Sequence, residues 1–162
     1  MTQAAGAVAV TLPTDTSVLV TREFAAAPHP VYRAYTDPAL VRRWWSGGTG
    51  EVTVAEIDLR VGGRWRFVNA GEGYEVGFHG VYRLLVPGER IVCTEVYEGH
   101  PDAEASAALC TYTFHDAGGR TTVGAHTQLR TREDRDAMLD SGMEHGVQAA
   151  WELWDRVALA LR

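Results

Sequence analysis

Apolar and polar side chains alternate along several segments of the chain, which is the period of a strand with one buried face. The first such segment covers residues 17–25, and others follow between residues 51 and 129, separated by turns rich in glycine and proline. The last thirty residues differ, because their apolar positions recur at helical spacing from Leu139 to Leu161. The pattern predicts a first strand, two short helices, about six antiparallel strands and one long C-terminal helix.

Prolines and a candidate cap indicate where the helices begin. Pro28 and Pro38 suit a first helical turn and not a helix interior, so we expect short helices over residues 31–35 and 39–45. Thr131 is a candidate N-cap, followed by two acidic residues, for a helix about 40 Å long. One face of the sheet must be covered, and only this helix is long enough to cover it.

The hairpin turns indicate which side chains share a face of the sheet, because a slip of one residue would turn every side chain over. The turns are expected at Gly71, at Pro87-Gly88 and at Ala117-Gly118. All three put their aromatic residues on one face, which we call the inner face. The expected partners are Trp65 with Phe78, Leu84 with Ile91, Tyr82 with Cys93, and Tyr112 with Val123.

The inner face carries one charged residue, Glu95, which is expected opposite Gly80 with room beside its carboxyl. Burial would raise the pKa of Glu95, and such a group can exchange a proton or hold a polar group of a ligand. Alternatively, Glu95 reaches water or pairs with Arg66. The inner face comprises Trp65, Phe67, Val76, Phe78, Tyr82, Cys93, Glu95, Tyr97, Cys110, Tyr112, Phe114 and Val123.

This face either packs solidly against the C-terminal helix, which is the ordinary arrangement, or lines a hollow beneath it. Two glycines interrupt the predicted helix at a cost of about 1 kcal/mol each relative to Ala, which indicates a close approach or vacant space. Buried tyrosine hydroxyls would also need partners that an apolar core lacks. We therefore expect an amphipathic cavity. Its candidate ligand-binding residues are those of the inner face except Val123, together with Trp45, Met138, Gly142, Met143 and Gly146.

Length and charge bound the class of protein. The 162 residues, 46% of them hydrophobic, suffice for one domain with a core of its own. We expect a flexible tail over residues 1–15, or alternatively an extra edge strand, ahead of a single domain over 16–162. The net charge is −6 and every basic residue is arginine, which argues against nucleic acid as the main partner. No apolar run is long enough to span a membrane.

The reactive side chains match no familiar catalytic or metal motif. Cys93 and Cys110 lack the spacing of a zinc site and are expected to be reduced, buried thiols in a cytoplasmic protein. The chain has no nucleophile elbow, phosphate-binding loop or dinucleotide fingerprint. Its six histidines do not fall at metal-ligand spacing, so neither a metal nor a cofactor is expected.

Five segments carry a family resemblance: DPALVRRWW (37–45), DLRVGGRWRF (58–67), GVYRLLVPGERIVCTEVY (80–97), GGRTTV (118–123) and DAMLDSGMEHG (136–146). In this order they resemble the activator of heat-shock-protein-90 ATPase family, and in particular its single-domain bacterial homologues in the START-like, or SRPBCC, superfamily. The resemblance covers about residues 17–162. It implies an α+β helix-grip fold, in which a curved antiparallel sheet of about six to seven strands wraps around a long C-terminal helix and a deep hydrophobic cavity.

Two positions depart from the family pattern. The tryptophan pair is followed by Ser46-Gly47 where the family usually has Gly-Pro, so the loop at one mouth of the cavity is expected to differ. Val147 follows the second helix glycine where a tryptophan is common, and Trp151 comes one turn later. We expect these changes to alter the shape of the cavity.

The resemblance favours a non-catalytic binder of a small hydrophobic or aromatic molecule. An alternative is an enzyme similar to polyketide cyclases or hydrolases, with Glu95 or a cavity tyrosine as acid or base. A third is protein interaction of the co-chaperone kind. ATPase activation of a chaperone is not expected, since the eukaryotic co-chaperones carry a further N-terminal domain. Neither nucleic acid nor a membrane is an expected partner, and a homodimer stays open.

Overall fold

The computed structural model describes residues 6–161 of the chain. The helices are α1 (Pro28–Thr36), α2 (Pro38–Val41), α3 (Arg132–Asp140) and α4 (Met143–Leu159). The strands are β1 (Ala9–Thr11), β2 (Ser17–Phe24), β3 (Glu51–Ile57), β4 (Arg64–Gly71), β5 (Tyr74–Val86), β6 (Arg90–Tyr97), β7 (Ala108–Asp116) and β8 (Thr121–Gln128). They form one antiparallel sheet in the order β1-β2-β8-β7-β6-β5-β4-β3, with the C-terminal helices following it in an α+β fold.

The sheet has eight strands, where the sequence predicted six to seven. The additional strand is β1, which pairs with β2 at the edge of the sheet. Just before it, the Val8 N–H donates a 2.7 Å hydrogen bond to the side chain of Gln148 in α4. Residues 9–11 therefore form the edge strand that the sequence offered as the alternative to a tail. Residues 1–5 of the expected tail lie outside the described residues.

The predicted long C-terminal helix is two helices, so that prediction was wrong. Thr131 caps α3 as expected, and its hydroxyl oxygen accepts a 3.0 Å hydrogen bond from the Asp134 N–H. Gly142 then adopts φ +80° and forms the N-cap of α4. An L side chain is strained in that left-handed region, which explains why glycine ends the first helix there. The element that covers the sheet is therefore α4, with 17 residues and a length of about 26 Å.

Two hairpin registers differ from the predicted ones by two residues. Trp65 pairs with Gly80 and not with Phe78, because the β4–β5 turn is centred one residue later, at Glu72-Gly73. Similarly, Tyr112 pairs with Ala125 and not with Val123, because the β7–β8 loop extends to Arg120. A slip of two residues keeps every side chain on its face, so the predicted inner face is unchanged.

The β5–β6 hairpin contains a bulge that the sequence did not reveal. Tyr82 pairs with Cys93 as predicted, but the register shifts between Tyr82 and Leu84. Leu85, rather than Leu84, therefore faces Ile91 and packs against the core. Leu84 points outward and is 39% exposed. One extra residue in a strand reverses the faces beyond it, which is the effect of a β-bulge.

The solid part of the core lies where the second half of α4 meets α1. The Trp154 indole is fully buried and stacks on Trp44, with ring centroids 4.8 Å apart. Each indole N–H donates a 2.9 Å hydrogen bond to a carbonyl of α1, Trp154 to Val31 and Trp44 to Ala34. Both polar edges are satisfied inside the core, so the two large rings are buried without a polar penalty.

A buried carboxylate fastens α4 to the end of β2. Asp155 accepts hydrogen bonds from the N–H groups of Ala25 and Ala26 at 3.0 and 3.1 Å. Its third partner is the buried Arg22 guanidinium, 3.4 Å away. A buried charge needs such partners, and here they hold the helix at one place along the sheet.

Candidate ligand-binding site

The residues predicted to line a cavity fall into three groups by exposure. The exposed ones are at the β6 end and the α3–α4 junction: Tyr97, Gly142 and Gly146. The half-buried ones are Trp45, Val76, Phe78, Glu95, Met138 and Met143. The buried ones are Trp65, Phe67, Tyr82, Cys93, Cys110, Tyr112 and Phe114.

Part of the buried group belongs to the solid core. The Phe114 ring lies edge-on to Trp154, with centroids 6.2 Å apart. The Tyr112 hydroxyl accepts a 2.9 Å hydrogen bond from the Tyr35 hydroxyl. Tyr112 therefore has a polar partner inside the core, and the expectation that its hydroxyl would require a cavity was wrong. Burial raises the pKa values of both phenols well above the ordinary value, so both are neutral near pH 7.

Tyr35 is a site-adjacent residue that the sequence did not single out. Its helical spacing from Val31, four positions earlier on α1, marks the buried face of that helix. The pattern identifies a buried ring. It does not identify Tyr112 as the hydroxyl's partner, because the two residues are 77 positions apart in the chain.

A continuous series of five aromatic rings, which we call the aromatic row, runs along the inner face of β4, β5 and β6. Neighbouring ring centroids are 5.0 to 5.8 Å apart. The row begins in the buried layer and ends at a ring that is 45% exposed, so it leads from the core to the surface. In order, its members are Trp65, Phe67, Trp45, Phe78 and Tyr97.

The helix side of this region is loosely covered. Met138, Met143 and Val147 are only half-buried, although they pack against the core. A Cβ atom built on Gly142 or Gly146 would meet nothing within 4 Å. The glycines therefore do not serve a close approach of two backbones. Open space adjoins them at the α3–α4 junction.

Glu95 lies on the inner face of β6, between Cys93 and Tyr97 along the strand. Its Oε2 atom accepts a weak hydrogen bond from the Cys110 thiol, with the sulfur 3.6 Å away. The alternative of an ion pair between Glu95 and Arg66 was wrong, because the Arg66 guanidinium donates two hydrogen bonds to the Glu98 carboxylate on the other face. Burial raises the pKa of Glu95, and the Cys110 hydrogen bond opposes this only in part.

The space beside Glu95 differs from the expectation. Gly80 is needed because a Cβ there would collide with the Thr94 carbonyl of the neighbouring strand. The same Cβ would lie 2.7 Å from the Trp65 Nε1 atom, so the indole edge occupies the place of the missing side chain. That Nε1 is buried and has no hydrogen-bond partner among the described residues. Buried donors without a partner are uncommon in folded proteins, so this indole N–H is free to donate to a bound molecule.

The two cysteines face each other across β6 and β7 as direct partners. Both are free and buried, and burial raises the pKa of each thiol. A thiol that stays protonated is a poor nucleophile. Their contribution to the site is a neutral, weakly polar surface next to Glu95.

Two surface clefts lie away from Glu95. One, of about 440 Å³, is formed where Arg22 meets the outer side of α4 at Gln148 and Glu152. The other, of about 870 Å³, lies between the start of α1 and the β5–β6 turn, near His29 and Arg90. No three histidine, cysteine or acidic residues within positions 6–161 are grouped to hold a metal ion. In the same part of the chain, no helix has the length and apolar character needed to cross a membrane.

The fold and its comparisons define the class of protein. Residues 25–156 match the family model described as Activator of Hsp90 ATPase homolog 1-like protein, and the chain belongs to this family. This confirms the resemblance found in the five sequence segments. A comparison with curated proteins finds no significant match.

Solved structures of bacterial proteins share the architecture. A Rhodobacter sphaeroides protein is 27% identical, covering 95% of this chain and 99% of its own, with a TM-score of 0.85. A Mycobacterium smegmatis protein is 23% identical, covering 96% and 99%, with a TM-score of 0.83. An Arthrobacter aurescens protein is 22% identical, covering 94% and 92%, with a TM-score of 0.81. The last two likenesses establish the fold alone.

Proposed function

We propose that this protein binds a small hydrophobic or aromatic molecule between the aromatic row and the α3–α4 junction, without converting it. Family membership supports a ligand-binding role. The observation that carries the proposal is a gradient of packing along one face of the sheet. Around Trp154 the core is closed, whereas around Phe78, Met143 and Gly146 the side chains are half-buried or exposed.

The gradient fits a ligand site better than a poorly filled core. Large rings that pack against one another bury most of their area, yet the Phe78 and Trp45 side chains remain half-buried, and open space adjoins Gly142 and Gly146. A bound apolar molecule would cover these rings and gain roughly 25 cal/mol for each Å² removed from water. The carboxyl of Glu95 would orient its polar group.

The proposal is tested with a neutral apolar dye such as Nile red, whose fluorescence rises in an apolar site. The wild type is expected to bind it with a saturable signal. Gly146→Phe is expected to weaken binding at least about tenfold, because a Cβ there has free space and the ring would extend into the site. His145→Phe adds the same ring at a neighbouring exposed position of α4 and serves as the control.

Equal binding by both variants would contradict this location of the site. Native mass spectrometry of the protein isolated from its own source adds an independent measurement, because a natural ligand would appear as a mass that departs on denaturation.

The expected place of function is the cytoplasm, where free thiols such as Cys93 and Cys110 stay reduced.

A catalytic role is the second candidate, and one observation favours it. Burial raises the pKa of Glu95, and carboxyls with a raised pKa are candidates for general acids. If the protein turns over a substrate, Glu95→Gln should lower the rate by at least about a hundredfold. If it only binds, the same change should alter ligand preference with no turnover to lose. Co-chaperone action would instead appear as faster ATP hydrolysis by the chaperone when this protein is added.

A further inference from the structure

The Glu95 carboxyl has no positive partner on the inner face. Within residues 6–161, its one side-chain hydrogen bond comes from the neutral Cys110 thiol, and no arginine or histidine forms an ion pair with it. The two arginines that are buried in this part of the chain are engaged elsewhere. Arg22 contacts Asp155, and Arg135 contacts Asp136. Glu95 is therefore a carboxyl whose counter-charge the described chain does not supply.

Two members of the aromatic row flank Glu95 in the sheet. Tyr97 follows Glu95 by two residues on the same face of β6, and its ring contacts Phe78 on the neighbouring strand at 5.2 Å. Trp65 lies on the other side, directly opposite Gly80, which itself faces Glu95 in the register set by the flanking pairs. A molecule beside Glu95 would thus lie between the Tyr97 and Phe78 rings on one side and the Trp65 indole edge on the other.

Aromatic faces and a lone carboxylate together recognise one chemical class. The electron-rich face of an aromatic ring attracts a cation within about 6 Å of its centroid, and an ammonium group also pairs with a carboxylate. A neutral ligand would remove water from Glu95 without compensating the negative charge of the carboxylate. A ligand with its own carboxylate would be repelled by Glu95. On the binding function proposed above, we propose that the ligand is an apolar molecule carrying a positively charged amine, held by Glu95 and the aromatic row.

The test compares two probes of nearly equal shape, benzyltrimethylammonium and its neutral isostere neopentylbenzene, by displacement of bound Nile red at fixed salt. The cation is expected to displace the dye at a concentration at least about tenfold lower than the isostere. In Glu95→Gln this preference should disappear. Glu56→Gln removes the same charge from an exposed position of β3, so it should retain the preference and controls for general attraction to an acidic protein.

A second variant keeps the inference testable if the Glu95 change disturbs folding. Phe78→Leu keeps an apolar residue at a half-buried position but removes one ring of the aromatic row. It should reduce the preference for the cation while leaving displacement by the neutral isostere within about threefold.

The outcomes separate this inference from the proposed function. If the isostere displaces the dye as well as the cation does, the cation inference is overturned and the binding function stands. If the cation keeps its advantage in Glu95→Gln, the role of Glu95 is overturned. If the wild type binds neither dye nor probe, the proposed function fails and the inference fails with it.

Discussion

Gly142 and Gly146 are predicted to respond in opposite ways to the same substitution. Gly142 sits at φ +80°, where Ala is strained by about 1–2 kcal/mol. Alanine also restricts the unfolded chain, which offsets about 0.4–1 kcal/mol of this strain, so Gly142→Ala should destabilise the fold by up to about 1.6 kcal/mol. Gly146 is inside α4, and its new methyl group would meet nothing within 4 Å. Gly146→Ala should therefore stabilise the fold by about 0.8–1 kcal/mol.

The measurement is equilibrium unfolding in urea, followed by the fluorescence of the buried tryptophans Trp44 and Trp154. The two Ala variants should shift the midpoint in opposite directions with the same slope. Gly142→Asn is the matched control, because Asn tolerates the left-handed region better than Ala and should recover part of the loss. Shifts of the same sign would refute the break between α3 and α4, since two interior helix glycines would behave alike.

Three further changes probe buried and exposed charge, again by urea unfolding. Asp155→Ala should lower the free energy of unfolding by about 3–5 kcal/mol, because it leaves the buried Arg22 and two backbone N–H groups without their partner. The control Glu23→Ala, at an exposed ion pair, should lower it by at most about 1 kcal/mol. Similar losses in the two variants would contradict a special role for the buried carboxylate. Glu95→Gln should become more stable relative to the wild type as the pH rises above 4.5, because a raised pKa in the folded state means that ionisation of Glu95 favours unfolding. A stability difference that does not change with pH would contradict the burial of this carboxyl. Glu98→Gln should show the opposite trend: hydrogen bonds from Arg66 and His79 lower the pKa of Glu98 to about 2, so the wild type's advantage is full above pH 4.5 and should vanish as the pH falls to about 2. Persistence of that advantage at pH 2 would exclude the ion pair as its source.

The inner face was predictable because the side-chain period of a strand is two. Trp65, Phe67 and Tyr112 lie on the predicted face even though their cross-strand partners differ by two residues. A bulge changes the count by one, and its position depends on contacts beyond the strand itself. Leu84 and Leu85 exchanged faces for that reason.

The candidate site was predictable in its residue types and only partly in its packing. Glu95 stands out in the sequence as the one charge on an apolar face, and the structure places it without an ionic partner among the described residues. The exposure of its neighbours was not predictable. Phe114 and Phe78 look alike in the alternating pattern, yet Phe114 is closed in by Trp154 and Phe78 is half-buried.

By itself, the sequence determined the family, the two faces of the sheet, the Thr131 cap and the presence of two short helices after β2, because each depends on neighbours a few residues away. The tertiary structure alone decided where the core is solid, which hydroxyl meets Tyr112, and how Asp155 holds α4. These depend on residues more than seventy positions apart that come together only when the sheet, α1 and α4 pack. The alternation of residues along a strand determines which face of the sheet a side chain is on. The packing of distant segments determines which residues cover that side chain.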